Sequence, residues 1–259
     1  MSARETSELI SQSLDRGVLL LTLQGTSSAH ALSEGMIHAL QMALNDAAKN
    51  EEVRVIVLHG PGKIFCAGHD LKEIARHRAD EDAGKAYLTS LLNSCGNMMQ
   101  TVTMSPKPTI ALVEGIATAG GLQLVAACDL AFASKNATFC LPGVNQGGFC
   151  TTPAVAVARN LSRKVVMELA LTGDVYDADW AREAGLLNRV LPAEDVIDFT
   201  MAFALKLATR NPKATADGKQ TLYRQMELPL EQAYAHATDV MIGHFMDPVQ
   251  IEDEQANWG

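Results

Sequence analysis

The residue types best placed to do chemistry in this chain are Gly68-His69-Asp70 and Gly120-Gly121. Each group follows an apolar run and opens a helical pattern. Glycine lets the main chain approach a ligand closely, and the first N–H groups of a helix lack an intrahelical partner. Two such turns brought together could aim two N–H groups at one oxygen, the geometry that stabilises an oxyanion. A single glycine at a strand–helix junction is mostly turn punctuation. The expectation of chemistry rests on the pair.

The elements that must position these turns follow from periodicity. Residues 53–58 read as a buried strand, a short Gly/Pro link follows, and Phe65-Cys66-Ala67 leads into Gly68 and a charged helix start. Residues 109–113 read as a second strand, and Thr118-Ala119-Gly120-Gly121 opens a helix running towards Ala127. Upstream, 9–14 and 18–23 flank the hairpin signal Asp15-Arg16-Gly17, and 33–50 is helical with Ser33 as cap. A long helix carries Tyr87 through Val102 and is stopped by Ser105-Pro106-Lys107-Pro108. A short strand is expected at 130–133, a loop from Pro142-Gly143 to Gly148, and a helix over 153–161. Beyond Ser162 the pattern is helical over 162–171, 177–184, 193–209, 212–226 and 230–245, with 188–191 the one strand candidate. Strands alternating with helices imply crossover connections and covered sheet faces. The chain therefore reads as an α/β core followed by a helical region, the change falling near 160–190. Helices 193–209 and 230–245 carry more apolar surface than a small domain needs, which points to self-association.

With 259 residues and 47% hydrophobic content the chain can bury a full core, and with 5% aromatic residues that core must be mainly aliphatic. A net charge of −9 argues against nucleic-acid and membrane-surface partners. No run approaches the roughly 18 apolar residues of a membrane span. Residues 1–9 lack a signal-peptide core and an Arg-rich leader pattern. The five cysteines are odd in number and without metal spacing, so reduced thiols in a cytoplasmic protein are expected. The spacing of 115–121 is not that of a dinucleotide loop, no phosphate loop or nucleophile elbow occurs, and the histidines have no ligand spacing. No metal is expected.

The stretches 53–58, 65–72, 110–121, Cys128-Asp129, Thr172-Gly173 and Ala184-Gly185-Leu186 through Pro192 resemble the crotonase (enoyl-CoA hydratase/isomerase) superfamily in order and spacing. The likeness covers almost the whole chain. It is nearest the branch of enoyl-CoA hydratase domain-containing proteins with a Gly-His-Asp-Leu-Lys-Glu run, here residues 68–73. The resemblance implies an α/β spiral of ββα turns over residues 1–190 and a helical trimerisation region over 191–259, assembled as trimers or dimers of trimers. It implies an acyl-CoA thioester as partner, with no cofactor beyond the coenzyme A of the substrate. By matched position, the backbone N–H groups of His69 and Gly120 would form the oxyanion hole for the thioester carbonyl. Lys72 would lie near the CoA nucleotide. His30, Ala67, Gly68, Asp70, Leu71, Gly121, Pro142 and Cys150 complete the expected substrate-binding set. Polarising that carbonyl lets a neighbouring carbon act as an enolate or accept a nucleophile.

Hydratases of this family hold and activate water with two glutamates. The first lies three residues after the oxyanion-hole glycine, where this chain has Gln123; the second follows a proline, and here Gly143 follows Pro142. A carboxamide orients water without deprotonating it, and glycine has no side chain. Acid–base catalysis contributes roughly 10²–10⁴-fold, so ordinary hydration should be crippled. The His69 ring is titratable, and histidine is the usual neutral-pH acid or base, but by family role this residue offers its backbone N–H. Cys150 has no basic neighbour in sequence to make it a thiolate, so packing is the expected role. Asp70 is expected to cap the helix after it, and Asp129 to make structural hydrogen bonds. Acyl-CoA decarboxylation, which needs the oxyanion hole but no strong base, is one alternative. A degenerate binder of acyl-CoA or a protein partner is the other.

Overall fold

The computed structural model of the chain describes residues 9–25 and 28–258. Most of the N-terminal stretch read above for targeting signals, residues 1–8, lies outside them. Strands β1 (Ile10–Asp15) and β2 (Val18–Leu23) form the expected hairpin. Its two linking residues, Arg16 and Gly17, both take positive φ (44° and 83°), as a tight turn matched to strand twist requires. Helix α1 (Glu34–Lys49) is capped by Ser33, whose hydroxyl accepts from Met36 N–H. Met36, Ile37, Leu40, Ala43, Leu44 and Ala47 make its buried face.

The next part repeats one pattern three times. A strand of a large sheet is followed by a strand of a small sheet and then by helix. The first turn is β3 (Val55–Gly60), β4 (Ile64–Cys66), α2 (Leu71–Arg76) and α3 (Lys85–Met104). The second is β5 (Thr109–Val113), β6 (Ile116–Thr118) and α4 (Gly120–Ala127). The third is β7 (Leu130–Ser134), β8 (Thr138–Cys140), a 3-10 turn at Pro142–Gln146 and α5 (Thr151–Val157). Helix α6 (Arg163–Thr172), strand β9 (Tyr176–Asp177), helix α7 (Ala178–Ala184) and strand β10 (Arg189–Leu191) complete the core. The large sheet runs β1-β2-β3-β5-β7-β10, parallel from β2 onward, and the small one β4-β6-β8-β9, parallel from β4 to β8. This is the expected α/β spiral of ββα turns.

Both faces of the large sheet are covered, so its central strands are apolar throughout. Ile56, Leu58, Ala111, Val113, Ala131 and Ala133 face the main core. The alternate residues Val55, Val57, Ile110, Leu112 and Phe132 face helix α8 (Val196–Ala208). There Phe199 and Phe203 stand edge-on to Phe132 at ring-centroid distances of 5.3 and 5.0 Å. The first helix beyond residue 190 thus closes the sheet. Helices α9 (Pro212–Gln225), α10 (Leu230–Phe245) and α11 (Pro248–Trp258) bury far less, Ala233 alone being buried on α10 and no residue on α9.

Several sequence expectations change. The run 142–148, expected as a loop, contains the 3-10 turn, started by Pro142 and ended by Gly147 at φ 75°. The helix expected over 153–161 starts two residues earlier and stops at Val157. Strand 188–191 is accompanied by β9, and α11 had no counterpart in the reading. The three-residue strands β4, β6 and β8 are too short to show a period of two, so their sheet was invisible.

Candidate functional site

The small sheet builds the site. β4 and β6 are adjacent parallel strands, as are β6 and β8, so their carboxyl ends lie side by side. Ala67-Gly68-His69-Asp70 follows β4, Ala119-Gly120-Gly121 follows β6, and Pro142-Gly143 follows β8. Three stretches distant in sequence thereby share one edge. Carboxyl ends of parallel strands are where α/β proteins place ligand sites.

Glycines set the closeness of the first two turns. Gly68 has φ 82°, and a β-carbon on it would stand 3.0 Å from the Gly120 nitrogen. A β-carbon on Gly121 would fall 2.1 Å from the Cys66 carbonyl oxygen, so α4 presses on the end of β4. Between them Ala119 is held at φ 50°, ψ −116°, an uncommon conformation for a residue with a side chain, and its N–H donates to Cys140 O at 3.1 Å. Such strain persists only where surroundings enforce it, and it collects at functional sites. Neither the His69 nor the Gly120 amide donates a hydrogen bond among the described residues.

A neighbouring segment braces the first turn. Leu32 N–H donates to Gly68 O at 2.7 Å and Ala67 N–H to Ala29 O at 3.1 Å. His30 is buried, its Nδ1 donating to Ile64 O at 2.8 Å and Phe65 O at 3.2 Å. The brace pairs the main chain across some 35 residues, and nothing in the local sequence announces it. Asp70 caps α2, accepting from Lys72 N–H at 2.9 Å and Glu73 N–H at 3.1 Å. Leu71 and Lys72 are exposed at the rim.

Gln123 is buried one turn into α4, with its carbonyl oxygen unpartnered. It lines a cavity of about 1210 Å³ between α3, α4, α5, α9 and α10, whose walls include Met99, Met104, Val155, Ala156 and Leu222. Of the amide site, Gln123 alone reaches that cavity. Gly143 is closed off: a β-carbon there would stand 2.7 Å from Cys150 N and 3.0 Å from Cys150 Sγ. Burial pushes the Cys150 thiol up from its ordinary value, which removes thiolate character. All five cysteines are buried and free, and burial raises Cys66 to about 12 and Cys95 to about 11.

Known proteins share this fold. A family described as enoyl-CoA hydratase/isomerase matches residues 13–255. The chain belongs to the enoyl-CoA hydratase/isomerase family. Within it, the chain is 36% identical to the mouse enoyl-CoA hydratase domain-containing protein 3, mitochondrial, over 92% of this chain and 77% of that one. It is 31% identical to the 2,3-dehydroadipyl-CoA hydratase of Escherichia coli over 88% of this chain and 87% of that one. An enoyl-CoA hydratase/isomerase family protein from Silicibacter pomeroyi superposes with a TM-score of 0.88 at 56% identity, covering 92% and 100% of the two chains. Human enoyl-CoA hydratase domain-containing protein 3 superposes with a TM-score of 0.90 at 34% identity, covering 96% of each. No helix among the described residues is long and apolar enough to cross a membrane.

Family membership was legible in the motifs, and the structure brings His69, Gly120, Gln123 and Gly143 to one strand edge and the helix beside it. The reading named His30 as substrate-binding but missed the main-chain brace at Ala29–Leu32 and the cavity roof on α9 and α10. Both depend on long-range packing that carries no local signal.

Proposed function

We propose that the chain binds an acyl-CoA thioester and polarises its carbonyl between the His69 and Gly120 amides, making the adjoining carbons reactive as in enoyl-CoA hydration. The observation that carries this reading is the pair of unbonded N–H groups at adjacent strand ends, held by Gly68 and the strained Ala119. Donors fixed in advance at a developing negative charge supply the largest single share of many catalytic effects. Leu71, Lys72 and Asp70 would meet the CoA portion at the rim, with Ala67, Gly68 and Gly121 forming its floor. His30 would act through its brace. Pro142 and Cys150 would border the acyl group, which the apolar cavity below Gln123 has room to take. The exposed apolar residues Leu222, Met226, Leu230, Tyr234, Phe245 and Trp258 on the last three helices support assembly as a trimer or dimer of trimers. The free, buried thiols suit a reducing compartment such as the cytoplasm.

The decisive trial is turnover of crotonyl-CoA, longer enoyl-CoAs and malonyl-type CoAs by the purified protein. At least one should react. A second reading, a binder without chemistry, is favoured by Gly143, where Cys150 leaves no room for the usual carboxylate. Folded protein that binds CoA yet leaves every thioester unchanged establishes that second reading and removes the first. Restoring both glutamates is a poor control, because Gly143→Glu must displace the Phe149–Cys150 backbone. Gln123→Glu alone is the usable variant.

A further inference from the structure

Five buried side-chain polar atoms have no hydrogen-bond partner among the described residues, and two of them, His69 Nε2 and Gln123 Oε1, belong to residues at or next to the amide pair itself. Leaving such a group unpaired costs about 1–3 kcal/mol, and native interiors hold few of them. Both lie at the amino end of α4. The His69 ring reaches towards Gly120, with Cε1 3.8 Å from where a β-carbon on Gly120 would stand. Gln123 lies three residues further along α4, the spacing that places side chains on one helix face. Two orphaned groups at the amino end of α4, beside the amide pair, call for a polar group that enters with the substrate.

We infer that the His69 imidazole and the Gln123 carboxamide replace the absent glutamates, His69 moving the proton and Gln123 holding the water of an enoyl-thioester hydration. This rests on the thioester reading above. With its proton on Nδ1, the ring takes a proton from water at Nε2 while the water oxygen bonds to C3 of the enoyl group. The C2=C3 electron pair shifts towards C1, and the carbonyl oxygen becomes negative against the two amides. The imidazolium then returns the proton to C2. The product is a 3-hydroxyacyl thioester, the ring is neutral again, and nothing is oxidised or reduced.

The surroundings leave the ring free for this. Burial lowers the His69 pKa, and no charged neighbour contributes to the shift, so the ring is neutral at neutral pH. On its own segment, Asp70 is committed to capping α2, Cys66 is a buried thiol with its pKa raised, Lys72 is exposed, and Glu73 accepts from Glu34 N–H at 3.0 Å. On the facing segment His30 Nδ1 donates to Ile64 O and Phe65 O while its Nε2 is a further unpartnered buried atom, and Glu34 begins α1. Tyr87 on α3 stacks on His77, and Cys140 at the end of β8 bonds Thr118. Helix α4 carries no ionisable side chain.

The test uses His69→Ala, which removes the ring and keeps the backbone N–H. Crotonyl-CoA hydration gives kcat, and butyryl-CoA, which cannot react, gives binding. The expected result is a kcat loss of about 10²–10⁴-fold with butyryl-CoA binding nearly unchanged, and partial rescue by added imidazole. In the wild type kcat/KM should fall on the acid side of the ordinary imidazole range, and His69→Gln should abolish that limb. Gln123→Leu should lower kcat by about tenfold and leave the limb in place. Unchanged kcat in either His69 variant, or a rate in the wild type that is flat through the imidazole range, overturns the assignment. Wild-type protein that binds butyryl-CoA but does not hydrate crotonyl-CoA also overturns it, while leaving the thioester site standing. Failure to bind butyryl-CoA at all sinks the thioester reading itself.

Discussion

At the start of α4 two amides, a ring nitrogen and a carboxamide oxygen have no partner among the described residues, whereas just past its far end one carboxylate has four donors. Asp129 accepts from Thr109 N–H at 2.7 Å, Thr109 Oγ1 at 2.9 Å and Tyr223 OH at 2.9 Å, and pairs with Lys219 Nζ at 2.7 Å. Lys219 also donates to Lys107 O at 3.1 Å. Burial lowers its pKa, with Asp129 opposing the shift, and burial raises that of Tyr223. Both partners come from α9, so this cluster fastens the C-terminal helices to the ends of β5 and β7. One helix thus joins a saturated end that holds the fold to an unsaturated end that waits for a ligand. Unpaired polar groups are tolerable at the second because the first keeps the roof in register.

The largest effect should come from Asp129→Ala. It leaves the buried Lys219 ammonium and the Tyr223 hydroxyl without their acceptor, and breaking a buried pair in this way costs about 3–5 kcal/mol. Urea unfolding should show that loss, with α9 becoming sensitive to protease in the native state. A loss below about 1 kcal/mol would put this pair with ordinary surface salt bridges and dissolve the contrast between the two ends.

Gly68→Ala should act on the other end. Its φ of 82° strains any residue with a side chain, and the new methyl group would press on Gly120 N from 3.0 Å. Backbone strain of this kind costs about 1–3 kcal/mol in stability. Moving one donor out of line should reduce kcat/KM for a reactive enoyl-CoA by about 10²–10³-fold. A folded Gly68→Ala protein with unchanged kcat/KM would show that the two amides do not act on the substrate.

The two ends also differ in how far the sequence exposed them. Gln123 and Gly143 stood out only through the family resemblance, whereas Gly68 and Gly120 are set by local needs (a positive φ, a close approach), so residue identity signals them. The hairpin at Arg16-Gly17 and the cap at Ser33 are legible for the same reason. Asp129 was expected to make structural hydrogen bonds, but its partners Lys219 and Tyr223 lie about 90 residues away and carry no mark of the pairing. The small sheet that gathers the site was invisible because three-residue strands show no period. The motifs named the residues, and only the fold supplied the reason they meet.

The smallest effect is a pH dependence that originates at the unsatisfied end. Burial holds the His69 pKa below its ordinary value, so the folded state resists a proton that the unfolded state accepts. Above the unfolded value the group adds nothing to the pH dependence. As pH falls through the ordinary imidazole range, stability declines, and it stops declining once the folded-state ring is also protonated. One proton limits the slope to about 1.4 kcal/mol per pH unit. Urea unfolding at about pH 7.5 and about pH 5.5 should therefore show wild-type stability falling more between the two pH values than that of His69→Gln. Every other titrating group is shared by the two proteins, so the difference between them isolates the ring. Parallel pH profiles would mean that His69 is solvated and paired with water, and the unsatisfied end of α4 would then be less dry than its geometry indicates.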